Sequence, residues 1–280
     1  MIENTSTVGF TYDSLGALKA GYKLYMDNFM KLLKRSWITA LIYAIAVGAY
    51  TTAYVNNMGF IATCFLSLPY FIMVIAMMSQ GYSILKEHQE TGSIQSCKRW
   101  FGGFEFRVFI RLLILLLTVI PIILASALII IAMTWLTMPL GKMLGIFTCL
   151  TTAIIISLFM LPLCYGEYKY VLNKETKISA VFGKYYKKGI SHFPAIFGTL
   201  FLSSICIVII TSFLQLPQII LMISNTLALQ NMMMGDIVIL PDYMVWLEPL
   251  VFSISGFIQG YLHLFMLYPL YYVYISINNK

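Results

Sequence analysis

The chain of 280 residues is 60% hydrophobic and only 10% charged, and it carries a formal net charge of +7. A soluble domain has about 25% charged residues, so this chain cannot coat a water-facing surface and much of its exterior is expected to face lipid. Its positive residues lie between apolar runs and no nucleic-acid-binding motif accompanies them, which points the basic balance at a membrane surface and away from nucleic acid.

The chain begins with a stretch that is mixed polar and apolar over its first 35 residues, without a basic segment leading into a short apolar one. No cleaved signal is expected there, and the first span is expected to serve as an uncleaved signal-anchor. Within this stretch Leu15, Leu18, Tyr22, Tyr25, Phe29 and Leu32 recur at steps of three and four, while Lys19, Lys23, Asp27 and Lys31 follow at steps of four. That spacing predicts an amphipathic helix, with Asp13 or Ser14 able to cap its start.

A bilayer core of about 30 Å needs roughly 20 apolar residues in a helix. Six segments meet this length, at residues 37–55, 60–85, 108–138, 143–165, 193–223 and 243–275. Pro69 interrupts the second, Pro217 lies inside the fifth, and Pro249 and Pro269 lie near the ends of the sixth. A proline frees a carbonyl and is expected to kink its helix, and Gln215 and Gln218 are placed to satisfy backbone groups freed at Pro217. The connection 224–242, with Met232–Met234 in a row, is the sizeable loop on its side and reads as an interfacial helix or a lid. Adjacent methionines do not share a helical face, so they read as packing residues and not as a soft-metal site.

If the six segments alternate across the bilayer, every Lys and Arg except Lys142 falls on one side, while Asp236, Asp242 and Glu248 gather on the other. The positive-inside rule then places both termini in the cytoplasm.

The two large basic connections resemble each other at an offset of 85 residues: Glu90-Thr91 followed by Arg99-Trp100-Phe101, and Glu175-Thr176 followed by Lys184-Tyr185-Tyr186. The same shift takes Gly81 to Gly166, and a fainter copy stands at Gly21-Tyr22-Lys23-Leu24-Tyr25. The expected fold is all-α: one integral membrane domain, residues 1–280, with six transmembrane helices in three two-helix repeats of parallel topology, at about 13–86, 90–171 and 175–276. Each repeat is entered through an amphipathic cytoplasmic elbow helix, the later two around Ile94, Cys97, Trp100 and Phe104 and around Ile178, Val181 and Tyr185. Lys19, Lys23, Lys98, Arg99, Lys184, Lys187 and Lys188 are the elbow residues expected to meet acidic phospholipid headgroups. A cytoplasmic protein could dock on the same surface.

Glu248, Ser255, Gln259 and His263 follow at steps of seven, four and four along the sixth span, with Gly256 and Gly260 beside them. They form a candidate polar track toward the bundle centre, or else a seam of interhelical hydrogen bonds with close approach at the glycines. Glu167, flanked by Tyr168, Lys169 and Tyr170, is expected to pair with a basic elbow residue. Cys64, Cys97, Cys149, Cys164 and Cys206 have no metal-ligand spacing and read as small apolar residues. His88, His192 and His263 are far apart. No P-loop, GxGxxG or HExxH motif and no plausibly set GxSxG motif occurs, so no catalytic residue, cofactor or metal ligand is assigned.

The basic-aromatic elbows, each preceded by its acidic turn at Glu90-Thr91 and Glu175-Thr176, give the chain a resemblance to the YciC-like family of bacterial membrane proteins and to the membrane domain beside some glycerophosphodiester phosphodiesterases. The resemblance implies a bacterial inner-membrane protein of about six spans and carries over no catalytic residue. The expected function is that of a non-enzymatic accessory or scaffold subunit in envelope or lipid homeostasis. A small transporter or channel, and a membrane enzyme acting on lipid, are the alternatives.

Overall fold

A computed structural model describes residues 13–56, 58–94, 104–235, 241 and 243–279. It is helical, with no strand among the described residues: α1 (Ser14–Asp27), α2 (Phe29–Val55), α3 (Phe60–Thr91), α4 (Phe106–Thr137), α5 (Lys142–Met160), α6 (Leu163–Leu172), α7 (Ile178–Ala180), α8 (Tyr186–Ser191), α9 (Phe193–Leu214), α10 (Leu216–Met233) and α11 (Met244–Asn278). Six stretches are long and apolar enough to cross a membrane: Phe29–Val55, Phe60–Thr91, Phe106–Thr137, Lys142–Leu172, Phe193–Leu214 and Trp246–Asn278. The elbow residues Lys98 and Arg99, with Cys97 and Trp100, fall outside the described residues, as do residues 236–240 of the connection 224–242.

The chain divides into two compact units. One comprises Ala20–Glu105 and Phe201–Pro269, the other Met1–Lys19, Phe106–Leu200 and Leu270–Lys280. They are called the α2–α3 unit and the α4–α5 unit below.

In the α2–α3 unit, α2 and α3 form a hairpin whose turn ends on Gly59, at φ 95°, a backbone conformation that side chains with a Cβ rarely adopt. The buried face of α2 runs through Leu32, Ser36, Thr39, Ala40, Tyr43, Val47 and Gly48, the helical spacing of a single stripe. α11 meets this unit at glycines. A Cβ built on Gly48 would lie 2.1 Å from Ser253 Oγ, one on Gly256 2.9 Å from Val47, and one on Gly81 2.6 Å from the Leu267 side chain. Lipid tails are as apolar as leucine, so helices in a bilayer gain little by hiding apolar surface from each other. Close backbone approach and van der Waals packing take over, and small residues permit it.

Asp13 caps α1 as its position predicts, accepting the Gly16 N–H on Oδ1 at 2.7 Å. The faces of α1 differ from the expected division. Ala17, Gly21 and Tyr25 are buried, whereas Leu15, Tyr22 and Met26 form an exposed apolar strip beside exposed Lys19 and Lys23. Gly21 takes the packed face because a Cβ there would lie 2.4 Å from the Pro269 nitrogen, leaving no room for a side chain.

In the α4–α5 unit, α4 and α5 form a second hairpin, closed by a turn Met138–Leu140 and by Gly141 at φ 147°. α4 is apolar all round. Only Val108, Leu112 and Leu115, near its start, are buried. Helix α3 passes through Pro69 and α4 through Pro121 without ending. The chain divides instead at Pro162, between α5 and α6, and just before Pro217, between α9 and α10.

The second division corrects the reading of a single span over 193–223. α9 stops at Leu214, and Pro217 sits in the first turn of α10, where a missing N–H costs nothing. Neither Gln215 nor Gln218 bonds the freed backbone through its side chain. The ladder continues across the junction by main chain, Gln215 N to Thr211 O and Ile219 N to Gln215 O, both at 2.9 Å. The connection beyond 224 is correspondingly helical as far as Met233, with Met232 to Met234 exposed.

Gly21→Ala is expected to destabilise the protein by about 1–3 kcal/mol through overpacking against Pro269, lowering its thermal midpoint in detergent. Gly183→Ala, at a position with open space around its Cβ, should leave that midpoint nearly unchanged.

Candidate functional site

The polar interior of the α2–α3 unit starts from an arginine near the beginning of α2. Because α2 and α3 run antiparallel, Arg35 meets the far end of α3, where its Nη1 lies 2.6 Å from Glu87 Oε2. Arg35 is buried and the Glu87 side chain is 23% exposed. Stripping water from a guanidinium is costly, and a hydrogen-bonded carboxylate offsets it only when the geometry is good. Ser36, the next residue, donates to Leu32 O at 2.8 Å and shares a 3.1 Å hydrogen bond with the Tyr261 hydroxyl. Tyr25 donates from its hydroxyl to Tyr261 O at 2.9 Å and packs edge-on against Tyr268, with ring centroids 5.1 Å apart. Burial, with Tyr261 beside it, pushes the Tyr25 phenol well above the ordinary tyrosine range. Lys31 donates to Ile94 O at 2.9 Å, and Lys86 pairs with Glu105.

Further along α3 lie Ser79, Gln80 and Ser83, all buried. The Ser83 hydroxyl returns to Ser79 O at 2.8 Å. Gln80 is 1% exposed, yet among the described residues neither end of its amide finds a hydrogen-bond partner, and the same holds for the hydroxyls of Ser79 and Tyr268. A buried polar group in that condition costs about 1–3 kcal/mol, so these positions are not explained by packing alone.

The stripe of Glu248, Ser255, Gln259 and His263 is not gathered into one cluster. Glu248 and Ser255 are buried, Gln259 is half-buried and His263 is exposed. Each step of four residues overshoots a full helical turn by about 40°, so the stripe winds from the packed face toward the outside. No hydrogen bond links the four. Glu248 is held instead by two asparagines, with Asn56 Nδ2 at 2.9 Å from one carboxylate oxygen and Asn225 Nδ2 at 3.1 Å from the other. One carboxylate thus ties together α11, α10 and the end of α2.

In the α4–α5 unit Arg111 occupies a comparable place near the start of α4. Its Nη1 donates to the carbonyls of Tyr170 and Asn173, and its Nη2 to those of Lys174 at 2.6 Å and Thr176 at 3.1 Å. The guanidinium also lies 4.6 Å from the Tyr170 ring centroid. A cation at carbonyls that a helix terminus leaves unsatisfied is favourable for both partners. Beyond that loop the chain runs through α7, a π-helical turn at Val181–Tyr185, and α8. This segment is pinned to the α5–α6 break: Tyr186 donates to Phe159 O at 2.9 Å, and a Cβ on Gly189 would lie 2.3 Å from Pro162 O. Gly166, likewise, backs onto Val181. Of the elbow lysines, Lys184 and Lys187 are exposed and Lys188 places its ammonium 5.7 Å from the Tyr165 ring centroid. Glu167 is half-buried, while its neighbours Tyr168 and Tyr170 are buried. Lys169 donates to Asn278 Oδ1 at 2.8 Å.

Arg35, Arg111, Gln80 and the two asparagines on Glu248 were not singled out by sequence pattern. Arg35 and Arg111 carried a signal all the same, since each is a charge set at the edge of an apolar run with its fork facing inward. Among the described residues no group of three or more His, Cys, Asp or Glu could hold a metal ion.

Among the described residues, fold and interior together define an all-helical protein with six membrane-capable helices and a small set of buried polar groups, some paired and some not. No protein-family model, curated protein or solved structure matches the chain.

Removing one partner of the Arg35–Glu87 pair should distinguish the two. Glu87→Ala removes the carboxylate that faces a buried guanidinium and is expected to cost about 3 kcal/mol, whereas Arg35→Met leaves a partly exposed carboxylate and should cost less. Arg111→Lys keeps the charge but loses the fork, and should destabilise the protein nearly as much as Arg111→Met. Thermal midpoints in detergent, with a double-variant cycle for the pair, measure each.

Proposed function

We propose that the chain is a non-enzymatic accessory or scaffold subunit of a bacterial cytoplasmic membrane, acting in envelope or lipid homeostasis, with both termini in the cytoplasm. The observation that carries this reading is the bareness of the α4–α5 hairpin. The most apolar window of each of its two spans is only 6% buried, against 44% for the span Trp246–Asn278. A helix pair this apolar and this uncovered suits contact with lipid or with another membrane protein over most of its circumference.

The reading includes three two-span repeats entered through basic elbows, in the manner of the YciC-like family. Arg35 and Arg111 support it. Each stands near the start of the outward helix of a hairpin and reaches the end of the returning helix, Glu87 of α3 in one case and the carbonyls after Val171 in the other. The exposed apolar strip and lysines of α1 support an elbow at the headgroups.

A second reading, a small transporter or channel, is favoured by Gln80, whose buried amide is left without a protein partner. Replacing Gln80 with Leu separates the two. A scaffold should keep its partners and gain stability, and a solute path should lose its flux.

Affinity purification from native membranes, with identification of bound proteins and lipids, is expected to return a stoichiometric partner or retained lipid. A clean, partner-free and lipid-free monomer would count against the scaffold. For topology, green fluorescent protein fused after Asn279 should fluoresce and alkaline phosphatase inserted at Gly235 should be active. The opposite pattern would invert the orientation.

A further inference from the structure

At the end of α5 in the α4–α5 unit, a groove of about 310 Å³ opens between two apolar walls. Ile155 and Phe159 of α5 form one wall, Pro162 closes the end, and Tyr186, Ile190 and Phe193 form the other. The groove exists because α8 is held beside the α5–α6 break, by Gly189 seated on Pro162 O and by the Tyr186 hydroxyl donating to Phe159 O. That hydroxyl is the one polar side-chain group in the lining, and it is already committed. The groove therefore offers hydrogen bonds to nothing and favours hydrocarbon. Its size matches the lower end of ligand pockets, about 300 Å³, enough for a stretch of acyl chain and too little for a whole lipid.

Charge decides what the rest of the occupant must be. Lys187 follows Tyr186 directly and is exposed, as is Lys184. Lys188 is half-buried over the Tyr165 ring. The Nδ1 of His192 lies within hydrogen-bond distance of Ser191 Oγ at 2.9 Å and Lys188 O at 3.1 Å. Three lysines and an imidazole thus stand on the same short segment that carries Tyr186 and Ile190, so cations and the apolar slot share one element. It lies on an elbow that joins two apolar spans, where headgroups meet acyl chains.

We infer that this groove is a binding site for one anionic glycerophospholipid, with an acyl chain along Ile155, Phe159 and Ile190 and the phosphate among Lys184, Lys187 and Lys188. The inference rests on the lipid-facing reading above and deepens it, since it names a lipid class and a place. Among the described residues no salt bridge neutralises these lysines, which favours anionic over zwitterionic lipid.

The test is native mass spectrometry of the full-length chain in mild detergent, with phosphatidylglycerol or phosphatidylcholine added in turn. One phosphatidylglycerol per chain should survive activation that strips phosphatidylcholine. K184Q/K187Q/K188Q should lower phosphatidylglycerol retention by roughly tenfold or more, with helicity and thermal midpoint preserved. Ile190→Trp, which fills the slot from its exposed rim, should abolish retention while the lysines remain. Equal retention of both lipids, or retention indifferent to the lysine changes, would mean unselective surface lipid and would overturn the site. A dimer that forms through the groove and is lost in Ile190→Trp would assign it to a second copy and overturn the site as well. A chain that stays soluble and folded without detergent would instead overturn the membrane reading itself, which keeps the two failures apart.

Discussion

Close backbone approach between helices is the constraint on which the α2–α3 unit depends. Gly21, Gly48, Gly81 and Gly256 sit where another helix leaves less than 3 Å for a Cβ. In water such contacts would supplement the burial of apolar side chains. In a bilayer they are a main source of attraction, because leucine gains little by exchanging lipid for protein. The glycines therefore fix the register in which α11 runs past α1, α2 and α3 within this unit, and the register fixes which polar groups meet. Ser36 finds Tyr261 only because Gly260, one residue earlier, lets α11 close on Tyr43.

Polar satisfaction is the second constraint, and it is met by few residues with great reach. Arg111 alone serves four carbonyls around the end of α6, so a turn that would leave main-chain groups unsatisfied at an apolar boundary is closed by one side chain. Glu248 does the converse, accepting from asparagines on two other elements. Both arrangements use one charged group to join segments distant in sequence, which suits a chain that spends only a tenth of its residues on charge.

Six apolar runs were legible because hydropathy over some twenty residues is a one-dimensional property, and each holds a membrane-capable stretch near its expected place, the fourth broken at Pro162 and the fifth cut short at Leu214. The cap at Asp13 was legible for the same reason, being local. What depends on rotation about a helix axis was less so. The α1 stripe drawn through Leu15 and Tyr22 is apolar, but the packed face belongs to Ala17, Gly21 and Tyr25, because Pro269 leaves no room for a side chain at Gly21 and so sets the rotation of the helix. His263 shows the same limit: a step of four keeps residues near one face for one turn, and after two the drift has carried the ring outward. Pro217 was misplaced because a proline inside a long apolar run and a proline opening a new helix look alike until the backbone is traced. The partners of Arg35, Arg111 and Glu248 lie 23 to 192 residues away in the chain and leave no local trace.

The uneven burial of the spans then acquires a meaning. A bundle built to enclose a polar path would bury its helices evenly, each giving one face to the interior. Here the span Trp246–Asn278 is 44% buried over its apolar window and each span of the α4–α5 hairpin 6%. At one end of the hairpin Arg111 binds the carbonyls around the end of α6, and Tyr186 and Gly189 hold α8 against Phe159 and Pro162. Helices this apolar and this little buried cannot leave that surface to water without cost, and under the proposal above it is lipid that covers them.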